Sequence, residues 1–170
     1  MVEISRDPGR SIAVWAARGG HGATTVAGVL GVFLQASVIS HDPDAFRWVW
    51  NDRPKRELVR DVTVCDAGVI ADSIPTSQIN VIVLRGPCSL ALRELSTMSD
   101  SIDHLILLRE PWRPLRARDA EDALGLPVAV EIPFSARLAR LTDAGLLASR
   151  ISSLDEFSAF GVWAQATLAD

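Results

Sequence analysis

Short, nearly continuous apolar runs alternate along this chain with stretches in which apolar residues recur every three or four positions. The runs predict strands at 12–17, 37–40, 61–65, 79–84, 104–108 and 127–131. Their Val/Ile/Leu-rich makeup, without polar alternation, is that of strands covered on both faces. The longer periodicity predicts helices at 24–35, 88–97, 116–124, 135–148 and 154–168. Strand–helix alternation of this regularity predicts an α/β fold, a three-layer, doubly wound, mostly parallel sheet. There is no internal repeat, low-complexity tract or dividing linker. Residues 1–170 are therefore expected to form one domain, with 1–10 a flexible lead lacking the apolar core of a signal peptide.

In such a sheet, ligands collect at the carboxyl ends of the strands. The first strand ends in Arg18-Gly19-Gly20-His21-Gly22-Ala23-Thr24-Thr25, a glycine-rich loop between a strand and a helix. That context lets backbone N–H groups surround a phosphate and lets a hydroxyl, Thr24, reach a magnesium ion. The position before Thr24, where such loops carry lysine, is Ala23, and the chain's only lysine is Lys55. The loop therefore lacks the cation that neutralises charge during phosphoryl transfer. Asp66, after Val62-Thr63-Val64-Cys65, stands where a magnesium-orienting carboxylate belongs. Asp42, after the second strand, is placed to hold a water or a switch segment. Either aspartate taken alone is equally a turn or helix cap.

These residues resemble the ParA/MinD family of deviant phosphate-loop ATPases, whose loop reads Lys-Gly-Gly-x-Gly-Lys-Thr-Thr. The similarity is tight from Ile12 to Asp42 and from Val62 to Gly68, and looser to Ile132. Within the family, Leu124-Gly125-Leu126-Pro127-Val128 and Asp143-Ala144-Gly145-Leu146-Leu147 are similar to the TadZ/CpaE/septum-site-determining branch. The resemblance implies that Arg18 stands for the signature lysine that reaches a partner's nucleotide. It also implies that Thr24 and Asp66 hold magnesium and that Thr25 matches the next threonine. Of the family's paired aspartates after the second strand, the first is Ser40 here and only the second, Asp42, is retained. Ala23 can do none of the second lysine's work, so the expectation is a degenerate member in which hydrolysis is weak or absent. Two alternatives stay open for the loop: ATP or ADP with magnesium, or no nucleotide at all. The partner implied is a second copy, or a related ATPase or assembly protein. The function implied is a localisation or assembly factor in pilus secretion or septum positioning. The alternatives are a slow ATPase using Arg18 and Asp42, or a DNA-associated partition module.

Composition narrows these choices. At 48% hydrophobic and 22% charged, 170 residues can bury a core without metal or disulfides. A net charge of −4 argues against nucleic acid as the main partner. Cys65 and Cys88 have no metal-type spacing and read as free thiols of a reducing compartment, which predicts a cytoplasmic protein. Val26 to Ile39 is too short to cross a bilayer. His21 and His41 would share the crest with Asp42 and Asp66, but no spacing supports a metal site. The segment Phe46 to Arg60 concentrates Trp48, Trp50, Arg53, Lys55 and Arg56. It reads as a loop anchored on the core, a protein-binding surface, or a single-strand nucleic-acid platform. Trp112, between Pro111 and Pro114, is expected at the crest, stacked on a base or packed in a turn. The terminal stripe Leu154, Phe157, Phe160, Trp163, Ala164 and Leu168 carries no basic residue. It therefore predicts a helix docking on its own core or on a partner subunit rather than on a membrane.

Overall fold

The computed structural model describes residues 10–50, 62–70 and 79–168. Its strands are β1 (Arg10–Ala16), β2 (Ser37–Ser40), β3 (Val62–Val69), β4 (Ile79–Arg85), β5 (His104–Arg109) and β6 (Val128–Pro133). They form one sheet in the order β2-β3-β1-β4-β5-β6, and every neighbouring pair is parallel. The helices are α1 (Ala23–Phe33), α2 (Pro43–Val49), α3 (Ser89–Ser96), α4 (Ala117–Leu124), α5 (Ala136–Asp143), α6 (Leu147–Arg150) and α7 (Ser158–Leu168). Successive strand side chains point to opposite faces, which explains the unbroken apolar runs. Val81 and Val83 join the core under α1, α6 and α7, whereas Ile82 and Leu84 join the one under α3 and α4. The three-layer, doubly wound α/β architecture read from the sequence is the one observed.

Four elements differ from expectation. First, β3 continues to Val69 instead of ending at 65, so Asp66 lies within a strand. The register with β1 slips at this point: Val14 pairs with Asp66 and Trp15 with Gly68, leaving Ala67 as the extra residue. Second, α2 was not expected. It forms because the Asp42 side chain accepts the Ala45 N–H at 3.0 Å and Pro43 occupies the first turn. Third, the stretch expected as one helix over 135–148 breaks at Gly145, whose φ of 65° ends α5 and restarts the chain as α6. Fourth, the last helix is preceded by a 3-10 turn at Asp155–Phe157.

The terminal helix docks on its own chain. Phe160, Ala164 and Leu168 are fully buried, at the i, i+4, i+8 spacing of one helix face. The Phe160 ring contacts those of Phe33, Phe157 and Trp163. Gly161 lets the Phe33 ring lie against the helix, since a Cβ there would come within 2.7 Å of it. Among the described residues, no helix is long and apolar enough to cross a membrane.

Candidate functional site

Because β1 is central, with β3 on one side and β4 on the other, its carboxyl end opens at the point where the strand order reverses. Ala17 continues the ladder, donating its N–H to Val83 O at 3.1 Å. The chain then turns, with the His21 N–H reaching Arg18 O at 3.1 Å and Gly20 at φ 78°. Gly22 caps α1 at φ 93°, and a Cβ there would lie 2.9 Å from Leu108 Cδ1. Only glycine serves at that position. No side chain caps α1 and no acid sits in its first turn. The first amides, from Ala23 through Thr25, therefore keep their donors and the positive end of the helix dipole.

The β3 flank holds Asp66, 2% exposed. Its Oδ2 accepts the Ser40 hydroxyl at 2.7 Å, and the His41 N–H donates to its carbonyl at 2.9 Å. Its Oδ1 has no hydrogen-bond partner among the described residues; His41 Nδ1 stands 4.0 Å away. A buried acceptor left in this state costs about 1–3 kcal/mol. A hard divalent cation such as magnesium is a ligand that such an oxygen suits. The His41 ring is seated on Gly68, where a Cβ would approach within 2.6 Å. Asp42, expected to position water, spends its Oδ1 on capping α2.

The β4 flank is cationic. Arg85 ends β4, and its Nε donates to Glu110 Oε1 at 2.8 Å. Its Nη1 reaches Gly20 O at 3.4 Å, and its backbone N–H points at His21 Nδ1, also at 3.4 Å. Arg113 Nε holds the other Glu110 oxygen at 3.2 Å. Burial pushes the Glu110 carboxyl up, but the hydrogen bonds from Arg113 and Arg85 outweigh it and leave it below its ordinary value. His21 is held below its ordinary value by burial and then by the charges of Arg18 and Arg85. Arg18 does not hang free: its Nε and Nη2 grip Glu94 on α3 at 3.1 and 2.6 Å. That pair is exposed and contributes little to stability.

Between the loop, β5 and the start of α5 lies a cleft of about 360 Å³, lined by Gly20, Gly22, Thr25, Arg85, Arg109 and Phe134 among others, with Asp143 on its wall. Phe134 follows β6, and its N–H is tied to Arg109 O at 2.9 Å. Trp112, read as stacked on a base or packed in a turn, is 60% exposed and makes a T-shaped contact with Phe134 at a centroid distance of 4.7 Å. Phe134 and Phe157 are the aromatic side chains that line the cleft, and Trp112 is not among its lining residues.

The aromatic segment separates into two parts. Trp48 is 71% exposed. Trp50 is not a surface residue: at 3% exposure it packs on α1, its Nε1 donating to Thr24 O at 3.1 Å. Its ring lies where a Cβ on Gly28 would be. This corrects the expectation that Trp50 contacts a partner; the indole is the anchor of the segment. Arg53 and Arg56 lie outside the described residues. Cys65 is buried, which pushes its thiol up and leaves it inert. Among the described residues, no group of three or more His, Cys, Asp or Glu side chains could hold a metal by itself.

No protein-family model and no curated protein matches this chain. Solved structures do. The chain is similar to the MinD cell division protein of Aquifex aeolicus, with a TM-score of 0.74 at 15% identity over 95% of this chain and 98% of that one. It is similar to the septum site-determining protein MinD of Pyrococcus horikoshii OT3, complexed with Mg-ADP, with a TM-score of 0.72 at 15% identity over 94% and 97%. A ParA family ATPase from Chlorobium tepidum TLS follows, at 0.63 and 16% over 92% and 97%. The fold is MinD/ParA-like.

Proposed function

We propose that this protein is a nucleotide-responsive, non-hydrolysing localisation or assembly factor of the ParA/MinD-like kind, working through protein contacts. The observation that carries the proposal is a division within one crest. Several features would suit a phosphate chain and magnesium: the glycine loop, the uncapped start of α1, Thr24, and Asp66 Oδ1, which has no hydrogen-bond partner among the described residues. The lysine of such loops is replaced by Ala23, 5% exposed in the core. Binding energy can survive that loss, whereas catalysis needs charge stabilisation that grows toward the transition state. Magnesium, when bound, would supply the divalent charge that a phosphate chain requires. Arg18, held by Glu94, would have to leave that pair to serve a nucleotide across a dimer. Asp42 is occupied as a helix cap. Both facts favour a binding module over a slow ATPase. The partner would be a second copy, or a related ATPase or assembly protein of the pilus or septum apparatus. In the same fold group, a MinC:MinD complex of Aquifex aeolicus is known as a solved structure.

Calorimetric titration with ADP and ATP, with and without magnesium, tests the proposal alongside Thr24→Ala and a phosphate-release assay. Magnesium-dependent binding that the substitution weakens, without turnover, is the expected result. No heat at millimolar nucleotide would leave a nucleotide-free scaffold. Turnover that Arg18→Ala abolishes would restore the slow ATPase.

A further inference from the structure

We propose that Arg85 is a phosphate-binding residue, supplying from β4 the cation that Ala23 withholds from the loop. The inference rests on the nucleotide-binding reading above and names the group that makes such binding workable. Its ligand is the phosphate chain of a nucleoside di- or triphosphate.

Arg85 meets the loop twice, through Nη1 on Gly20 O and through its backbone N–H on His21 Nδ1. It also lines the same cleft as Gly20, Gly22 and Thr25. The two ends of its guanidinium are engaged unequally. Nε is anchored at 2.8 Å on Glu110, whereas the 3.4 Å contact of Nη1 is long for an N–H···O bond. The outer nitrogen is therefore oriented by the inner one and only weakly committed, a donor that a phosphate oxygen would capture in preference to a neutral carbonyl.

The charge balance points the same way. Glu110 is 8% exposed and shared by two guanidinium groups, so the trio Arg85–Glu110–Arg113 carries two positive charges against one negative beside the loop. The alternatives are worse placed. Arg18 gives two nitrogens to Glu94. Arg109 also lines the cleft, but its charged neighbour is Glu131 on the outer strand and, among the described residues, no hydrogen bond ties its side chain to the loop. A lysine from the loop and an arginine from the next strand differ in one respect: Arg85 is already fixed by a buried carboxylate, so little side-chain freedom is lost on binding.

The test is Mg-ADP titration of the wild type, Arg85→Gln, Arg85→Lys and the double variant Arg85→Gln/Glu110→Gln, with melting curves on each. Arg85→Gln should weaken Mg-ADP by about ten- to hundredfold, as expected for a lost hydrogen bond to a charged group. Arg85→Lys should recover most of that loss. The double variant removes the carboxylate that Arg85→Gln would leave to Arg113. It should bind as poorly as the single variant while melting closer to wild type, which separates lost binding from lost fold. Wild-type affinity in Arg85→Gln, with binding lost in Thr24→Ala, would overturn the role of Arg85 and leave the nucleotide site standing. A wild type silent to millimolar Mg-ADP would overturn both.

Discussion

On the β3 flank of the loop, the buried ionisable side chain at the crest is Asp66, closed off from water and with no hydrogen-bond partner on Oδ1 among the described residues. On the β4 flank, three charges, Arg85, Glu110 and Arg113, satisfy one another and leave a positive surplus. The flanks lie on either side of β1, so the reversal of strand order separates an acid that suits a cation from a cation that suits an anion. A ligand carrying both, such as a metal-bound phosphate chain, matches that division better than either ion alone. The flanks also differ in how their tryptophans are used. Trp50 is built into the β3-side core, whereas Trp112 lies outside the cleft.

The tryptophan contrast gives the largest expected effect. Trp50→Ala should lower the unfolding free energy by about 3–5 kcal/mol, because it empties the space over Gly28 and removes the indole's hydrogen bond to the Thr24 carbonyl. Trp112→Ala should cost less than about 1 kcal/mol. Urea denaturation of the two variants measures the difference, and equal losses would break the contrast. Next, Asp66→Asn should stabilise the protein by about 1 kcal/mol in magnesium-free buffer, since it removes a buried charge with an unmet acceptor. The same change should abolish any magnesium dependence of ADP binding. Destabilisation instead would mean that the carboxylate is fully satisfied within the fold.

A smaller effect comes from pH. His21, between the flanks, and His104, edge-on to Trp163, are both held below the ordinary value of 6.5, chiefly by burial. As pH falls through 6.5, the unfolded chain takes up protons at these imidazoles before the folded chain does. Stability is therefore complete above that pH and declines below it. The melting temperature should drop between about pH 7.5 and 5.5, and His21→Gln/His104→Gln should flatten the slope. The smallest effect belongs to Arg18→Ala, which should leave the melting temperature unchanged because its pair with Glu94 is exposed. A change in dimerisation with the melting point intact would show that Arg18 has a second partner.

The parts legible in the sequence were those whose signal is local. The loop, its strand and its helix are contiguous, and the buried strands announce themselves as apolar runs. The end of β3 was misplaced because Asp66 and Gly68 are poor strand formers. What carries the strand through them is the parallel partner β1 and a bulge at Ala67, neither visible locally. Helix α2, at seven residues, is shorter than the window in which a helical period can be counted. Its cap and proline were nevertheless present as Asp42-Pro43. The burial of Trp50 had a signal too: Phe46 lies four positions earlier, and the two rings stack at 6.3 Å on one face, with Trp48 turned away. Arg85 had none. Its role depends on Glu110, 25 residues further on, and on a loop 65 residues back.

The two edges of the sheet have a consequence for how copies of this protein can associate. Strand β2 is only four residues long, and β6 carries an exposed Glu131 before ending at Pro133. Neither is a good template for another chain's backbone. Growth by strand addition, which would be indifferent to any ligand, is thus disfavoured. Association is left to side-chain surfaces, and the crest is one of them. A contact made across the crest can be opened or closed by what the crest holds; a contact made along a strand edge could not.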